Sequence, residues 1–208
     1  METYVYIDGF NLYYGAVKGT PYKWLNIHKL CHNYLKKFNI LKLKYFTAII
    51  SARPNDPNKP NRQQIYIRAL NTIPHLEIIL GHFMEHPVWM PLVSSLSGTV
   101  RYAHVMKTEE KGSDVNLAAH LINDGYKGLY KAAILITNDS DLVEPIRIVR
   151  NELNLKVGIL NPYVNSPSMM LSKNVDFVKP IRKGALANSQ FPNSLTDSIG
   201  TFHKPKEW

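Results

Sequence analysis

The chain has 208 residues, of which 45% are hydrophobic, so it can bury one substantial core and nothing in its length calls for a second domain. Its 25 lysines and arginines against 16 aspartates and glutamates give a formal charge of +9, which favours a polyanionic partner, although the same excess also serves solubility. The lone cysteine, Cys31, excludes an internal disulfide and a thiolate metal cluster; with no secretory leader at its start and no run of about 20 apolar residues, the chain is expected to be cytoplasmic, without a membrane partner.

Tyr4 to Ile7 is a short β-branched and aromatic run that stops at Asp8-Gly9, the pattern of a buried first strand ending in a turn. After a loop containing Gly19, Pro21 and Trp24, Asn26 caps a helix whose apolar positions Ile27, Leu30, Cys31, Tyr34 and Leu35 recur at helical spacing. Leu41 to Ile50 reads as a second strand, Ala52 to Asn61 as a proline-rich and asparagine-rich surface loop, and Arg62 to Ile73 as a helix. Leu76 to Leu80, closed by Gly81, is a third strand. Phe83 to Val105 interrupts the rhythm and is expected to form an inserted hairpin or flap, with a serine-rich stretch from Ser94 to Thr99.

The alternation resumes with a helix opened by Ser113 or Asp114 and ending near Gly125, a strongly apolar strand at Ala132 to Ile136, and a helix over Leu142 to Leu153. Lys156 to Leu160 is a further strand and Val175 to Val178 an edge strand. This order implies an α/β fold in which a mostly parallel sheet carries helices on its faces, because parallel neighbours need a crossover and a helix usually supplies it. The domain is expected over residues 1–183, with 184–208 a polar tail lying on the surface.

Side chains that do chemistry in open parallel sheets gather at the carboxyl ends of the strands. Asp8 stands there after the first strand, Asp139 and Asp141 after the apolar strand, and Asp114 at the start of a helix. Singly, each acid has an ordinary role as a cap or turn residue. Together they make a cluster whose repulsion protons or cations must relieve. Oxygen ligands without cysteines or paired histidines favour hard Mg²⁺ or Mn²⁺ over Zn²⁺; calcium ranks below these, since the glycine turn and distal glutamate of an EF-hand are missing.

Tyr6-Ile7-Asp8-Gly9-Phe10-Asn11, Lys111-Gly112-Ser113-Asp114-Val115 and Thr137-Asn138-Asp139-Ser140-Asp141-Leu142 resemble, in order, the three signature blocks of the NYN (LabA-like) family of PIN-like nucleases. The resemblance implies a three-layer α/β/α sandwich in which Asp8, Asp114, Asp139 and Asp141 bind the cation. Asn11 matches the family asparagine beside the first acid, and Ser140 the small polar residue between the last two. Many relatives carry glycine where this chain has Asn138.

The implied activity is hydrolysis of RNA phosphodiesters by one or two bound cations. Asn11 either fixes the attacking water or a phosphate oxygen, or simply caps the following turn. Lys111 either steadies the phosphate or is a solvated loop charge. Lys18, Lys23, Arg53, Arg62 and Lys107 are candidates for contacts to the RNA backbone. Tyr13, Tyr14 and Trp24 are candidates for stacking an unpaired base, so the expected substrate is single-stranded RNA. His120 is expected in the interior. The alternative is a catalytically weak RNA-binding or regulatory module that keeps the fold. A haloacid dehalogenase-type phosphatase is discounted because Phe10 stands where its second acid belongs. A homodimer is expected by analogy alone.

Overall fold

In the computed structural model, which describes residues 1–93 and 101–208, β1 (Glu2–Asp8), β2 (Asn39–Thr47) and β3 (Leu76–Leu80) are followed by β4 (His82–Pro91) and β5 (Tyr102–Lys111), and then by β6 (Ala132–Ile136), β7 (Lys156–Asn161) and β8 (Phe177–Pro180). Six of these strands form one sheet in the order β3-β2-β1-β6-β7-β8, each paired in parallel with its neighbour. The chain works outward from β1 in one direction, then returns to β1 and works outward in the other. The reversal between β1 and β6 opens a crevice at their carboxyl ends, the place where such sheets bind ligands.

Strand alternation sorts the core into two layers. Val5 and Ile7 of β1, Leu43 and Tyr45 of β2, and Ile134 and Ile136 of β6 pack on one side against α2 (Ile27–Tyr34) and α3 (Lys59–Leu70). Tyr6, Phe46, Ala133 and Leu135 pack on the other against α4 (Ser113–Tyr126) and α5 (Val143–Arg147). The arrangement is the expected three-layer α/β/α sandwich. Trp24 is fully buried in the first layer, with its indole nitrogen donating to the Pro192 carbonyl at 2.8 Å, so its candidacy as a stacking platform for RNA is corrected.

Three local expectations differ from the structure. The stretch directly after β1 is helical before the expected loop at Gly19, Pro21 and Trp24 begins: α1 (Gly9–Leu12) continues into a π-helical turn, Tyr13–Val17. Its first residue is glycine because a Cβ there would lie 2.8 Å from the Phe46 carbonyl and from the Tyr45 ring. The single helix expected over Leu142 to Leu153 is a 3₁₀ turn, α5 and a π-helical turn in succession, with Pro145 unable to donate a backbone bond.

The third difference is the segment from Gly184 onward. It contributes α6 (Lys183–Ala187) and an antiparallel pair, β9 (Ser194–Asp197) and β10 (Gly200–His203). Leu186, Phe191 and Phe202 belong to the first core layer. Arg68 of α3 holds this pair through a two-bond contact with Asp197, each bond 2.7 Å, and its guanidinium lies 4.2 Å from the Phe202 ring centre. The polar letters hid a few well-spaced aromatic anchors.

Outside the sheet, β4 and β5 pair antiparallel from His82 with Lys111 to Pro91 with Tyr102. This ribbon extends past both ends of the 83–105 segment; Ser94 to Thr99 lies outside the described residues. Its two ends pass close to one another. A Cβ on Gly81 would meet the Lys111 carbonyl and a Glu110 carboxylate oxygen at 2.6 Å, and Gly112 has φ +97°, a conformation that glycine adopts at little cost.

Beneath α4 lies a buried polar group that composition and periodicity do not reveal. Lys44 of β2 reaches Asp124 of α4 at 2.6 Å, and the Tyr6 hydroxyl donates to the same carboxylate oxygen at 2.8 Å. The Lys44 ammonium also lies 3.0 Å from Nδ1 of half-buried His120. Removing one partner leaves a buried charge uncompensated, which costs about 3–5 kcal/mol, whereas a well-packed apolar pair is often neutral. Asp124→Ala is therefore expected to lower the urea midpoint by that loss, and the double variant Lys44→Met/Asp124→Leu to recover most of it; equal losses in both would contradict this role.

Candidate active site

The crevice between β1 and β6 is built from strand ends and helix starts. Asp8 closes β1 and caps α1, accepting the Asn11 backbone N–H at 2.8 Å on Oδ1. Its other oxygen accepts from the Thr137 hydroxyl at 3.2 Å, at the end of β6. Thr137 Oγ1 in turn accepts the Asp139 N–H at 3.1 Å. The Asn11 side-chain carbonyl accepts the Asn138 N–H at 2.9 Å, so the first and second acidic loops are tied together across 127 residues of sequence.

Asn138 is itself a hub. Its side-chain oxygen accepts from Asn161 Nδ2 at 2.9 Å and from the Ser168 N–H at 2.7 Å, and its Nδ2 donates to the Ser166 carbonyl at 2.9 Å. A glycine could make none of these side-chain bonds. The departure from the usual family residue thus binds the loop after β6 to the one after β7.

Asp8, Asn11, Asp114 and Asp139 line a cavity of about 270 Å³, together with Phe10, Tyr14, Phe83 and Glu110. Asp114 lies in the first turn of α4, whose N-cap is Gly112. Asp139 caps the 3₁₀ turn Ser140–Leu142, accepting the Asp141 N–H at 3.0 Å. Asp141 stands exposed outside the cavity lining, yet its charge reaches Asp114. Glu110 is an acid that the spacing argument missed. Its carboxylate accepts from both the N–H and the hydroxyl of Ser113, at 3.1 and 2.7 Å, and the Glu109-Glu110 pair just before the glycine turn was the available signal.

Burial, at 4% exposure, pushes the Asp8 carboxyl up to about 7, and the nearby charges of Asp114 and Asp139 push the same way against its hydrogen bonds from Asn11 and Thr137. Asp114 is also raised, first by burial and then by Asp139, Glu110 and Asp141. The site concentrates more negative charge than its own hydrogen bonds relieve. Among the described residues no three such side chains stand close enough to form a cage around an ion. An all-oxygen, carboxylate-rich, open cavity nevertheless fits a hard cation that keeps part of its water shell and takes only one or two direct carboxylates, as Mg²⁺ usually does.

The remaining sequence candidates fall into two groups. Tyr13 and Arg62 line a neighbouring pocket, and Arg62 is paired with Asp56 at 2.5 Å. Ser140 is exposed on its turn beside the acids. Lys111 ends β5 and lies 3.5 Å from Glu109, and exposed Arg53 belongs to a local turn with Asp56; neither lines the acidic cavity. Lys107 is likewise engaged by Glu109, at 2.6 Å.

An open parallel sheet with acids at its switch point and helices on both faces defines a PIN-like α/β architecture. The chain belongs to the NYN domain family, whose model matches residues 2–181, and this family places it among PIN-like nuclease domains. It is also similar to 6-hydroxy-3-succinoylpyridine 3-monooxygenase HspA of Pseudomonas putida, with 29% identity across the whole of this chain and 75% of that protein. A crystal structure of a protein of unknown function from Vibrio parahaemolyticus matches with a TM-score of 0.58 over 91% of this chain and 96% of that one, at 16% identity, a likeness of fold alone. No helix among the described residues is long and apolar enough to cross a membrane.

Between the ordinary carboxylate value of 3.8 and about 7, the folded chain holds a proton on Asp8 that the unfolded chain has released. That stabilisation is complete below the lower value and is lost as pH rises through the upper one. In EDTA, the wild type is expected to lose stability relative to Asp8→Asn between pH 5 and pH 8. Parallel unfolding midpoints for the two proteins over that range would refute the assignment.

Proposed function

We propose that the chain is a Mg²⁺- or Mn²⁺-dependent ribonuclease that hydrolyses phosphodiester bonds of single-stranded RNA, with Asp8, Asp114, Asp139 and Asp141 as its acidic set. The observation that carries this reading is the convergence of carboxylates from three separate parts of the sequence on one cavity, with burial and mutual repulsion raising Asp8 and Asp114. Membership of a nuclease family and the +9 charge support it.

A bound cation would supply an activated water and stabilise charge on the departing oxygen. One or two of Asp8, Asp114 and Asp139 would ligate it directly and the others through its water shell, with Asp141 adding negative potential from outside the lining. Thr137 and the Asn11 backbone keep the Asp8 carboxylate oriented by occupying one lone pair on each of its oxygens. With its carbonyl committed to Asn138, Asn11 is left with its amide nitrogen as a donor toward the cavity, suited to a nonbridging phosphate oxygen. Ser140, Lys111, Arg53, Arg62 and Tyr13 form the outer set for the strand, the cations acting through salt-sensitive contacts.

A second reading comes from the likeness to HspA, which spans this chain and three-quarters of that protein: the chain would bind a small hydroxylated pyridine. Adding 6-hydroxy-3-succinoylpyridine should then raise the melting temperature in the absence of RNA.

The ribonuclease reading is tested with labelled single-stranded RNA and Mn²⁺. Cleavage is expected from the wild type, with a loss of at least about a hundredfold in Asp139→Asn, since removal of one electrostatic group from such a site typically costs 10²–10³. No cleavage of any strand would favour the RNA-binding alternative. Separately, millimolar Mg²⁺ or Mn²⁺ should raise the melting temperature, and more so at pH 8 than at pH 6, because the cation takes the place of the proton on Asp8. An unchanged melting temperature at both pH values would remove the metal from the account.

A further inference from the structure

Beside the acid-lined cavity lies a second pocket of about 190 Å³, and Phe10 and Tyr14 line both. Four more rings, Tyr13, Tyr45, Tyr66 and Trp208, line it among aliphatic, charged and other polar side chains. The π-helical turn after α1 explains part of this. In that turn the backbone bonds five residues back instead of four, and Tyr13, Tyr14 and Val17 are all presented to one cavity. Trp208 packs edge-on against Tyr66 at 5.8 Å and Trp24 at 6.3 Å, so the final segment of the chain supplies one wall.

Two of the polar side chains in this lining are committed to the backbone. Tyr66 donates to the Leu25 carbonyl at 2.8 Å, and the Gln63 amide is held at both ends, by the Ala48 carbonyl at 2.8 Å and the Ile50 N–H at 3.0 Å. What the six aromatic residues of the lining add is ring faces. Its charged groups are Lys23, Lys59 and Arg62 against Asp56 and Glu207, and the acids lie at 2.5 and 4.0 Å from Arg62, which leaves the two lysines for an external anion.

We propose that this pocket receives one unpaired nucleobase of the strand whose backbone crosses the acid-lined cavity, with Tyr14 as the stacking partner at the boundary. A base is flat and apolar on its faces and sits one sugar away from its phosphate. Two cavities that share a wall match that spacing: the phosphate lies on the acidic side, where a cation offsets the carboxylates, and the base among the rings. Every base has a π-face, so stacking on these rings tolerates any base. The inference rests on the RNA-binding part of the proposed function and not on turnover.

The test uses the full chain as Asp139→Asn with Mg²⁺, so that the strand stays intact, and a short single-stranded RNA in which each base in turn is replaced by an abasic site. One position is expected at which base removal weakens binding about tenfold, from the loss of one stacked base. 2-Aminopurine at that position should be quenched. Adding Tyr14→Ala should equalise intact and abasic strands, while Tyr14→Phe should preserve the difference. Tyr14 is half exposed, so both variants should fold, and their melting curves check this.

The same affinity for every abasic strand, a penalty that survives Tyr14→Ala, or no binding of any strand would each overturn the pocket assignment. Failure of the two readings is separable. Base-dependent binding by a wild type that cuts nothing leaves the pocket standing and removes the nuclease. Cleavage by the wild type without any base-dependent step in affinity does the reverse.

Discussion

The site depends on a small set of hydrogen bonds that join the ends of the two central strands. Parallel strands are linked laterally by their ladders, but beyond the last ladder bond nothing in a sheet obliges the following loops to stay together. Here the Asn11 carbonyl takes the Asn138 N–H, and the Thr137 hydroxyl bridges Asp8 to the Asp139 N–H. These short polar links hold two loops of like charge side by side. Burial, and after it the repulsion that would otherwise part them, raises the proton affinity of Asp8, and that makes the cavity receptive to a cation.

The same links explain why capping and chemistry need not compete. Asp8 and Asp139 both serve as helix N-caps, the ordinary role for such residues. Capping occupies one lone pair on one oxygen, and a carboxylate has others to offer. The caps fix the orientation of the carboxyl groups, and the remaining acceptor capacity faces the cavity. An acid oriented in this way loses little further freedom when a ligand arrives.

Much of this was readable from residue order. The apolar strands Tyr4 to Ile7 and Ala132 to Ile136, each ending at an acid, stand next to one another at the centre of the sheet. Three of the four acids picked out at strand ends and a helix start, Asp8, Asp114 and Asp139, line one cavity. The features that escaped were those in which one residue decides against a weak local pattern. Phe191, Phe202 and Trp208 are isolated aromatics in a polar stretch, and only the fold shows that α3 and Trp24 wait for them. Lys44 reads as a solvated strand residue, because its partner Asp124 is 80 residues away. Glu110 is one of several charges on the ribbon, and only the fold shows Ser113 bonding to it. The π-helical turns have no periodic signature, since a single added residue only shifts the pattern.

The buried contact of Lys44 with Asp124 has a bearing on the far end of α4. Asp124 sits near the last turn of that helix and Asp114 in its first, so one is moored to the sheet while the other borders open space. Next to that free end, Gly81 and Gly112 bring the base of the β4–β5 ribbon against the helix start, and Phe83 of the ribbon meets Phe10 at 5.7 Å. A helix pinned at its tail pivots only at its head, and here the head is gripped by the ribbon. The ribbon thus borders two acids of the cavity at once, its own Glu110 and Asp114 at the helix head, while Asp8 and Asp139 are tied to the ends of the central strands.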